Sequence, residues 1–408
     1  MTDTPEPARF AGWAERPAGG PGAGRPGAPR RGRWRRRAAF GAAGALLAGA
    51  GAGWAVYAKL DGNIRTDRSA DQELHKWESE RPPAGPPNAE NLLLIGSDSR
   101  SGGNRRYGRG GGQRSDTTLL LHLAADRKSA TAVSIPRDLM VRVPHCLRSD
   151  GRETEPQTAQ FNWAFAFGGA ACSIRTVERM TGIRIEHYMI IDFVGFTKMV
   201  DAVDGVEICL PQAVHDASAH LTLPAGRQTL DGEAALAYVR ARKGLGNGSD
   251  TQRMDRQQRF LGALVKKVQS NGVLLNPTRL YPVLDAATSS LTTDADLASL
   301  RGLYELVRST RRIPADRTQF LTVPRREYRY DPNRDELVQP DADRLFGRLR
   351  RDLPVAVGPP HDAGEEPART GGRSAGSAPR GVPEGSPSPA ASSGPTFPGT
   401  TAERRICE

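Results

Sequence analysis

Arginine and aspartate recur in this chain as close pairs at the ends of apolar runs. The run Leu92-Leu93-Leu94-Ile95 ends in Gly96-Ser97-Asp98-Ser99-Arg100, and Arg114-Ser115-Asp116 opens the next run. Pro136-Arg137-Asp138 closes a third, and Arg240-Ala241-Arg242 and Arg253-Met254-Asp255-Arg256-Gln257 come later. Two carboxylates in one pocket repel unless a metal or a proton joins them. Magnesium held by one or two carboxylates and by substrate phosphates is the usual arrangement. Arginine forks match phosphate oxygens in pairs. The pattern therefore predicts a site for a polyanion and a divalent metal. Any one of these residues reads equally well as a turn salt bridge or a solvated helix face, in a chain that is 25% charged. Five or six arginines at the starts and ends of core elements are harder to explain that way.

The elements that must position these residues can be read from apolar periodicity. Strands are predicted at 91–97, 117–124, 130–135, 188–192, 206–210 and 319–323. Helices are predicted at 161–167, 174–181, 193–203, 294–311 and 341–351, with Gly182 as a stop. Asp231 can cap a helix running to about Tyr238. The stretch 253–270 carries Phe260, Leu261, Leu264, Val265 and Val268 at helical spacing. In extended chain Asp98 and Arg100 point the same way, as do Arg240 and Arg242. Arg253, Arg256 and Gln257 share one helix face. Alternating strands and helices predict an α/β class, three layers with helices on both faces of a mainly mixed sheet.

The chain has 408 residues and a net charge of +11. Residues 1–37 hold nine Arg against three acids, a net +6, and little apolar periodicity. They read as a disordered basic tail, as does the Pro-, Gly- and Ser-rich tail 357–408. The Arg30–Arg37 cluster resembles a nucleic-acid patch, but it directly precedes residues 38–58, which carry no charge. That length spans a bilayer as a helix, and cationic flanks stay inside. The reading is a single-pass anchor with a cytoplasmic N-terminus, bound to the lipid bilayer and not to nucleic acid. A cleaved signal peptide is the rival, disfavoured by the long charged flank and long apolar segment. Residues 59–87 then form a juxtamembrane stalk and 88–356 an extracytoplasmic domain. Outside the membrane disulfides persist, so Cys146 and Cys172 are expected to pair. Cys209 reads as a small buried hydrophobe and Cys407 as unpaired.

Other motifs fail. Gly372-x-Ser374-x-Gly376 matches a nucleophile elbow but has no strand or helix around it. No Gly-x-x-x-x-Gly-Lys-Ser/Thr loop supports ATP hydrolysis, no His-Glu-x-x-His is present, and no Cys/His cluster has zinc spacing.

In order along the chain, the segments Leu92–Arg100, Arg114–Thr117, Ser134–Asp138, Val200–Val206, Leu230–Arg242 and Arg253–Gln258 resemble the LytR-CpsA-Psr family of cell-wall ligases, in its actinobacterial branch. The resemblance implies a membrane-anchored phosphotransferase that moves a glycopolymer from a polyprenyl-pyrophosphate carrier to peptidoglycan through a phosphodiester. It implies Mg²⁺ (or Mn²⁺) at Asp98 and Asp116, and catalytic roles for Asp98, Asp116, Arg137 and Arg240. Arg100, Arg114, Arg137, Arg240, Arg242, Arg253, Arg256 and Gln257 would bind the pyrophosphate, and a hydrophobic tunnel would hold the lipid. The long Gly/Arg loop between Arg100 and Arg114 and the Gly-Leu-Gly-Asn-Gly stretch after Arg242 depart from the family pattern. The rival readings are a polyprenyl-pyrophosphate hydrolase and a non-catalytic envelope regulator.

Overall fold

The computed structural model describes residues 31–99, 102–107, 114–241, 250–269, 277–358 and 395–403. It divides into two compact units, Met1–Ala55 and Val56–Glu408. A long helix, Arg31–Asn63, contains a stretch from Arg37 that is long and apolar enough to cross a membrane.

The larger unit is built on a nine-stranded mixed sheet. Across it the strands run Arg65–Thr66, Leu291–Thr293, His187–Asp192, Glu90–Ser97, Ser115–Leu123, Ala130–Ile135, Thr318–Thr322, Thr396–Thr401 and Ala356–Gly358. The central pairs Glu90–Ser97/Ser115–Leu123 and Ser115–Leu123/Ala130–Ile135 are antiparallel. Glu90–Ser97 pairs in parallel with His187–Asp192, and Ala130–Ile135 with Thr318–Thr322. Leu93, Leu120 and Val133 are fully buried on one face, against Ile174, Val177 and Phe346 from helices Phe161–Thr181 and Asp341–Arg350. Helix Asp250–Gln269 runs beside Thr318–Thr322 and lends Phe260 to a second core, with Val200, Val206 and Tyr238. Burying one such aromatic contributes roughly 2–3 kcal/mol.

Several sequence expectations change. The two helices predicted at 161–167 and 174–181 are present within Phe161–Thr181, separated where Gly168 and Gly169 leave helical backbone angles, and the second begins earlier than expected. A β-carbon on Gly168 would lie 2.8 Å from the Leu147 carbonyl oxygen and 3.0 Å from the β-carbons of Cys146 and Cys172. The missing side chain admits the predicted Cys146–Cys172 disulfide, with Cα atoms 5.3 Å apart. Cys209 is not a plain hydrophobe: it is half-buried and disulfide-bonded; Cys407 lies outside the described residues. The predicted helix 294–311 begins only at Leu300, where Ser299 accepts the Gly302 amide; the Asp294 carboxylate caps a separate short turn, accepting the amides of Asp296 and Leu297, and also takes that of Tyr188. Helix Pro277–Ser290 was not foreseen.

The 59–87 stalk is part of the folded unit. Ala70 and Leu74 of helix Arg68–Lys76 sit in the main core, and Asp61 accepts the Leu300 amide at 2.8 Å. Part of the expected disordered tail is also ordered. Thr396–Thr401 pairs antiparallel with Thr318–Thr322, and Phe397 is buried.

Helix Gly232–Arg240 starts where Asp231 accepts the Ala234 amide and Gly232 donates to Asp201 at 2.7 Å. A β-carbon on Gly232 would lie 2.3 Å from the Thr197 carbonyl oxygen and 2.7 Å from its Cα. Only glycine lets this helix dock on helix Phe193–Ala202. Gly232→Ala is expected to lower stability by about 1–3 kcal/mol, seen as a lower denaturation midpoint at unchanged slope. An unchanged midpoint would show that the contact is not tight.

Candidate active site

Ligand crevices of α/β sheets lie at the carboxyl ends of strands, and the Asp and Arg residues gather at such an end. Asp98 directly follows Glu90–Ser97. Its amide donates to the Arg114 carbonyl at 2.9 Å, and its Oδ1 accepts the Arg114 amide at 2.7 Å. Arg114 thus fixes Asp98 through its backbone, while its own side chain is exposed. Asp116 sits on a β-bulge: Gly96 pairs with Thr117 and Ser97 with Ser115, so Asp116 has no partner across the ladder. A bulge re-aims a side chain, and this one turns Asp116 into the same cavity as Asp98.

Arg137 follows strand Ala130–Ile135. Its Nη1 lies 3.4 Å from Asp116 Oδ1 and its Nε 3.1 Å from Asp138 Oδ2. Its carbonyl accepts the Asn162 amide at 3.0 Å, which serves one of the orphan donors at the start of helix Phe161–Thr181. Arg240 is the last residue of helix Gly232–Arg240, so that helix runs beyond Tyr238. Its guanidinium lies 4.5 Å over the Phe193 ring, a cation–π contact.

Helix Asp250–Gln269 supplies the rest. Arg253 and Gln257 line the cavity, and Gln257 Nε2 donates to the Val239 carbonyl at 3.2 Å. Arg256 does not line it. Its buried guanidinium donates to the Ala241 carbonyl, and its Nε has no partner among the described residues. Burial pushes the Arg256 guanidinium down and the neighbouring Asp255 carboxyl up from their ordinary pKa values. Gln258 donates to Ser134 Oγ at 2.8 Å and Thr322 Oγ1 at 3.0 Å, fastening the helix to two strand ends.

Arg100 and Arg242 lie outside the described residues. The structure brings Asp98, Asp116, Arg137, Arg240, Arg253 and Gln257 around one cavity of about 390 Å³. The rest of its wall is mostly apolar, with Leu94, Leu119, Ile191, Phe196, Val239, Phe260 and Leu261, and also carries Ser97, Thr117 and Asp192. A charged rim over an apolar pocket suits an amphiphile with an anionic head. Sequence reading missed Asp192 and Asn104. Asp192 lines the cavity and accepts the Gly195 amide at 2.7 Å. Asn104 binds Asp192 Oδ2 at 2.9 Å and accepts the Val194 amide at 3.0 Å. The Asp-x-x-Gly cap signal before helix 193–202 was available; the Asn104 contact, 88 residues away in sequence, was not.

Fold and site together define an α/β domain with a charged rim at the strand ends and a largely apolar pocket beneath it. The chain belongs to the LytR-CpsA-Psr family, whose model matches residues 56–350. It is 41% identical over 210 residues to a Corynebacterium glutamicum protein named "Probable cell wall biosynthesis protein LcpB", covering 50% of this chain and 47% of the relative. It is 30% identical to Bacillus subtilis TagT, a polyisoprenyl-teichoic acid–peptidoglycan teichoic acid transferase, over 54% of this chain and 65% of that one. The chain spans about half the length of the corynebacterial relatives it matches. The fold is shared with a LytR-Csp2A-Psr enzyme from Actinomyces oris (TM-score 0.53, 22% identity, 66% of this chain and 93% of that one).

Arg256 acts through the backbone it holds. Arg256→Met is expected to free the Ala241 carbonyl, cost about 1–3 kcal/mol and speed hydrogen exchange at the Ala241 amide, which now bonds to Ala237 at 2.8 Å. Unaltered exchange there would refute the clamp.

Proposed function

We propose that this chain is a phosphotransferase that moves a glycopolymer from a polyprenyl-pyrophosphate carrier to peptidoglycan, forming a phosphodiester. The carrying observation is the cavity itself, apolar within and rimmed by Arg137, Arg240 and Arg253. The relatives' names, which pair polyisoprenyl-linked teichoic acid with peptidoglycan, support the same substrate class.

In this reading the polyprenyl chain lies among Leu119, Phe196 and Phe260, and the arginines hold the pyrophosphate oxygens. The acceptor hydroxyl oxygen bonds to the sugar-bearing phosphorus. The bridging P–O bond breaks, and its electron pair leaves on polyprenyl phosphate. Arg137, Arg240 and Arg253 stabilise the charge that gathers on the departing oxygen, an electrostatic form of catalysis. An aspartate of the rim takes the hydroxyl proton.

Asp98 and Asp116 offer carboxylate oxygen with no thiol or imidazole among the described cavity-lining residues, a donor set that fits a hard cation such as Mg²⁺ or Mn²⁺. When bound, the ion would neutralise pyrophosphate charge. The anchor helix would hold the domain at the outer membrane surface, where ATP is not the expected donor.

Arg240→Ala and Asp98→Asn are each expected to lower transfer by about 10²–10³-fold, measured with a lipid-pyrophosphate-linked glycan and a peptidoglycan acceptor. Full activity in either variant would remove that residue from the site. Release of free phosphorylated glycan as the sole product, acceptor present, would make the protein a hydrolase instead. Calorimetric titration with Mg²⁺ is expected to give binding in the wild type and none in Asp98→Asn/Asp116→Asn; equal binding in both would place the metal elsewhere.

A further inference from the structure

A second cavity, about 870 Å³, lies along helix Gly232–Arg240. Glu233, Ala234, Ala237 and Arg240, one face of the helix, line it. Leu236 and Arg240 line both cavities. A thin partition separates them. Tyr107 packs edge-on to Phe193 at 5.5 Å, and its hydroxyl donates to Glu233 Oε1 at 2.8 Å. Arg240 lies over the same Phe193 ring.

The two cavities differ in character. The first is walled by Leu, Ile and Phe side chains. The second is lined in part by exposed Ser218, His220 and Thr222 and by the acids Asp216, Asp231 and Glu233. Such a surface offers hydroxyl and imidazole groups to a neutral, polyhydroxylated chain and little to a lipid tail.

Geometry of the reaction connects them. In phosphoryl transfer the attacking and leaving oxygens stand roughly in line across phosphorus. With the lipid in the apolar cavity, the leaving oxygen points into it. The attacking hydroxyl must then come from the side of the phosphorus away from that cavity, and the second cavity, which shares Leu236 and Arg240 with the first, lies within reach of a phosphorus held at Arg240. We infer that this cleft binds the saccharide acceptor and delivers its hydroxyl past the Tyr107–Glu233 contact to the phosphoryl group at Arg240. The inference rests on the transferase reading above. It assigns the acceptor, and not the donor's sugars, to this cleft.

The test uses the full chain in detergent micelles, a polyprenyl-pyrophosphate-linked disaccharide as donor and a soluble peptidoglycan tetrasaccharide as acceptor. Thr222→Trp adds bulk from an exposed strand into the cleft, and Tyr107→Phe removes only one hydroxyl. In Thr222→Trp the KM for the tetrasaccharide is expected to rise about tenfold or more, with a smaller rise in Tyr107→Phe, while the KM for the donor stays within about twofold of wild type. Thermal unfolding of both variants checks that the fold is intact. An unchanged acceptor KM in both variants overturns the assignment. A donor KM that rises with the acceptor KM also overturns it, since it puts the donor's sugars in the cleft. A wild-type protein that cleaves donor but transfers nothing to any acceptor sinks the transferase reading itself, a different failure from either of these.

Discussion

Three consecutive side chains, Arg256, Gln257 and Gln258, hold the site together. Successive residues of a helix point about 100° apart, so these three reach three different neighbours. Arg256 takes the Ala241 carbonyl, Gln257 the Val239 carbonyl, and Gln258 the hydroxyls of Ser134 and Thr322. The first two fix the end of the helix that carries Arg240. The third fixes the helix to the strand end that leads to Arg137 and to the neighbouring end at Thr322. Buried polar groups need partners, so these bonds leave the helix little freedom to slide. The cationic rim keeps its spacing because the polar seam behind it is bonded at three successive side chains, the Arg256 Nε aside.

The opposing wall depends on backbone irregularity. A regular ladder would alternate side chains across the sheet. The bulge at Asp116 breaks that alternation at one residue. It lets two carboxylates from neighbouring antiparallel strands face one cavity. The bond from the Asp98 amide to the Arg114 carbonyl closes the ladder one step beyond the bulge, and the Arg114 amide holds the Asp98 carboxylate. Below this rim the cavity is lined by side chains of the second core, Phe196 and Phe260 among them. One set of aromatic residues therefore serves both packing and the apolar pocket.

Much of this was legible in the chain. Strands 90–97, 115–123 and 130–135 are short, strongly apolar runs ending in turn residues, and their polar ends are where the site lies. Asp231 and its alanine-rich follow-on announced the helix that bears Arg240. The limits were physical. Periodicity put Arg256 with Arg253 and Gln257 on one helix face, but it cannot tell an arginine that reaches a ligand from one that reaches a carbonyl. A bulge leaves no mark when the extra residue is an ordinary Asp. Ala70 and Leu74 looked like a stalk because two apolar residues among charges do not show a core contact. Thr396–Thr401 has strand-forming threonines, yet its place in the sheet depends on Thr318–Thr322 and Ala356–Gly358, both far away in sequence.

The central claim is that one cavity receives both the lipid and the pyrophosphate of a polyprenyl-pyrophosphate donor. A crystal structure of the protein with a polyprenyl pyrophosphate tests it most directly. The account predicts phosphate oxygens against Arg137, Arg240 and Arg253, with the chain running past Leu119 toward Phe196 and Phe260. A lipid bound on another surface, or phosphates away from those arginines, would contradict it.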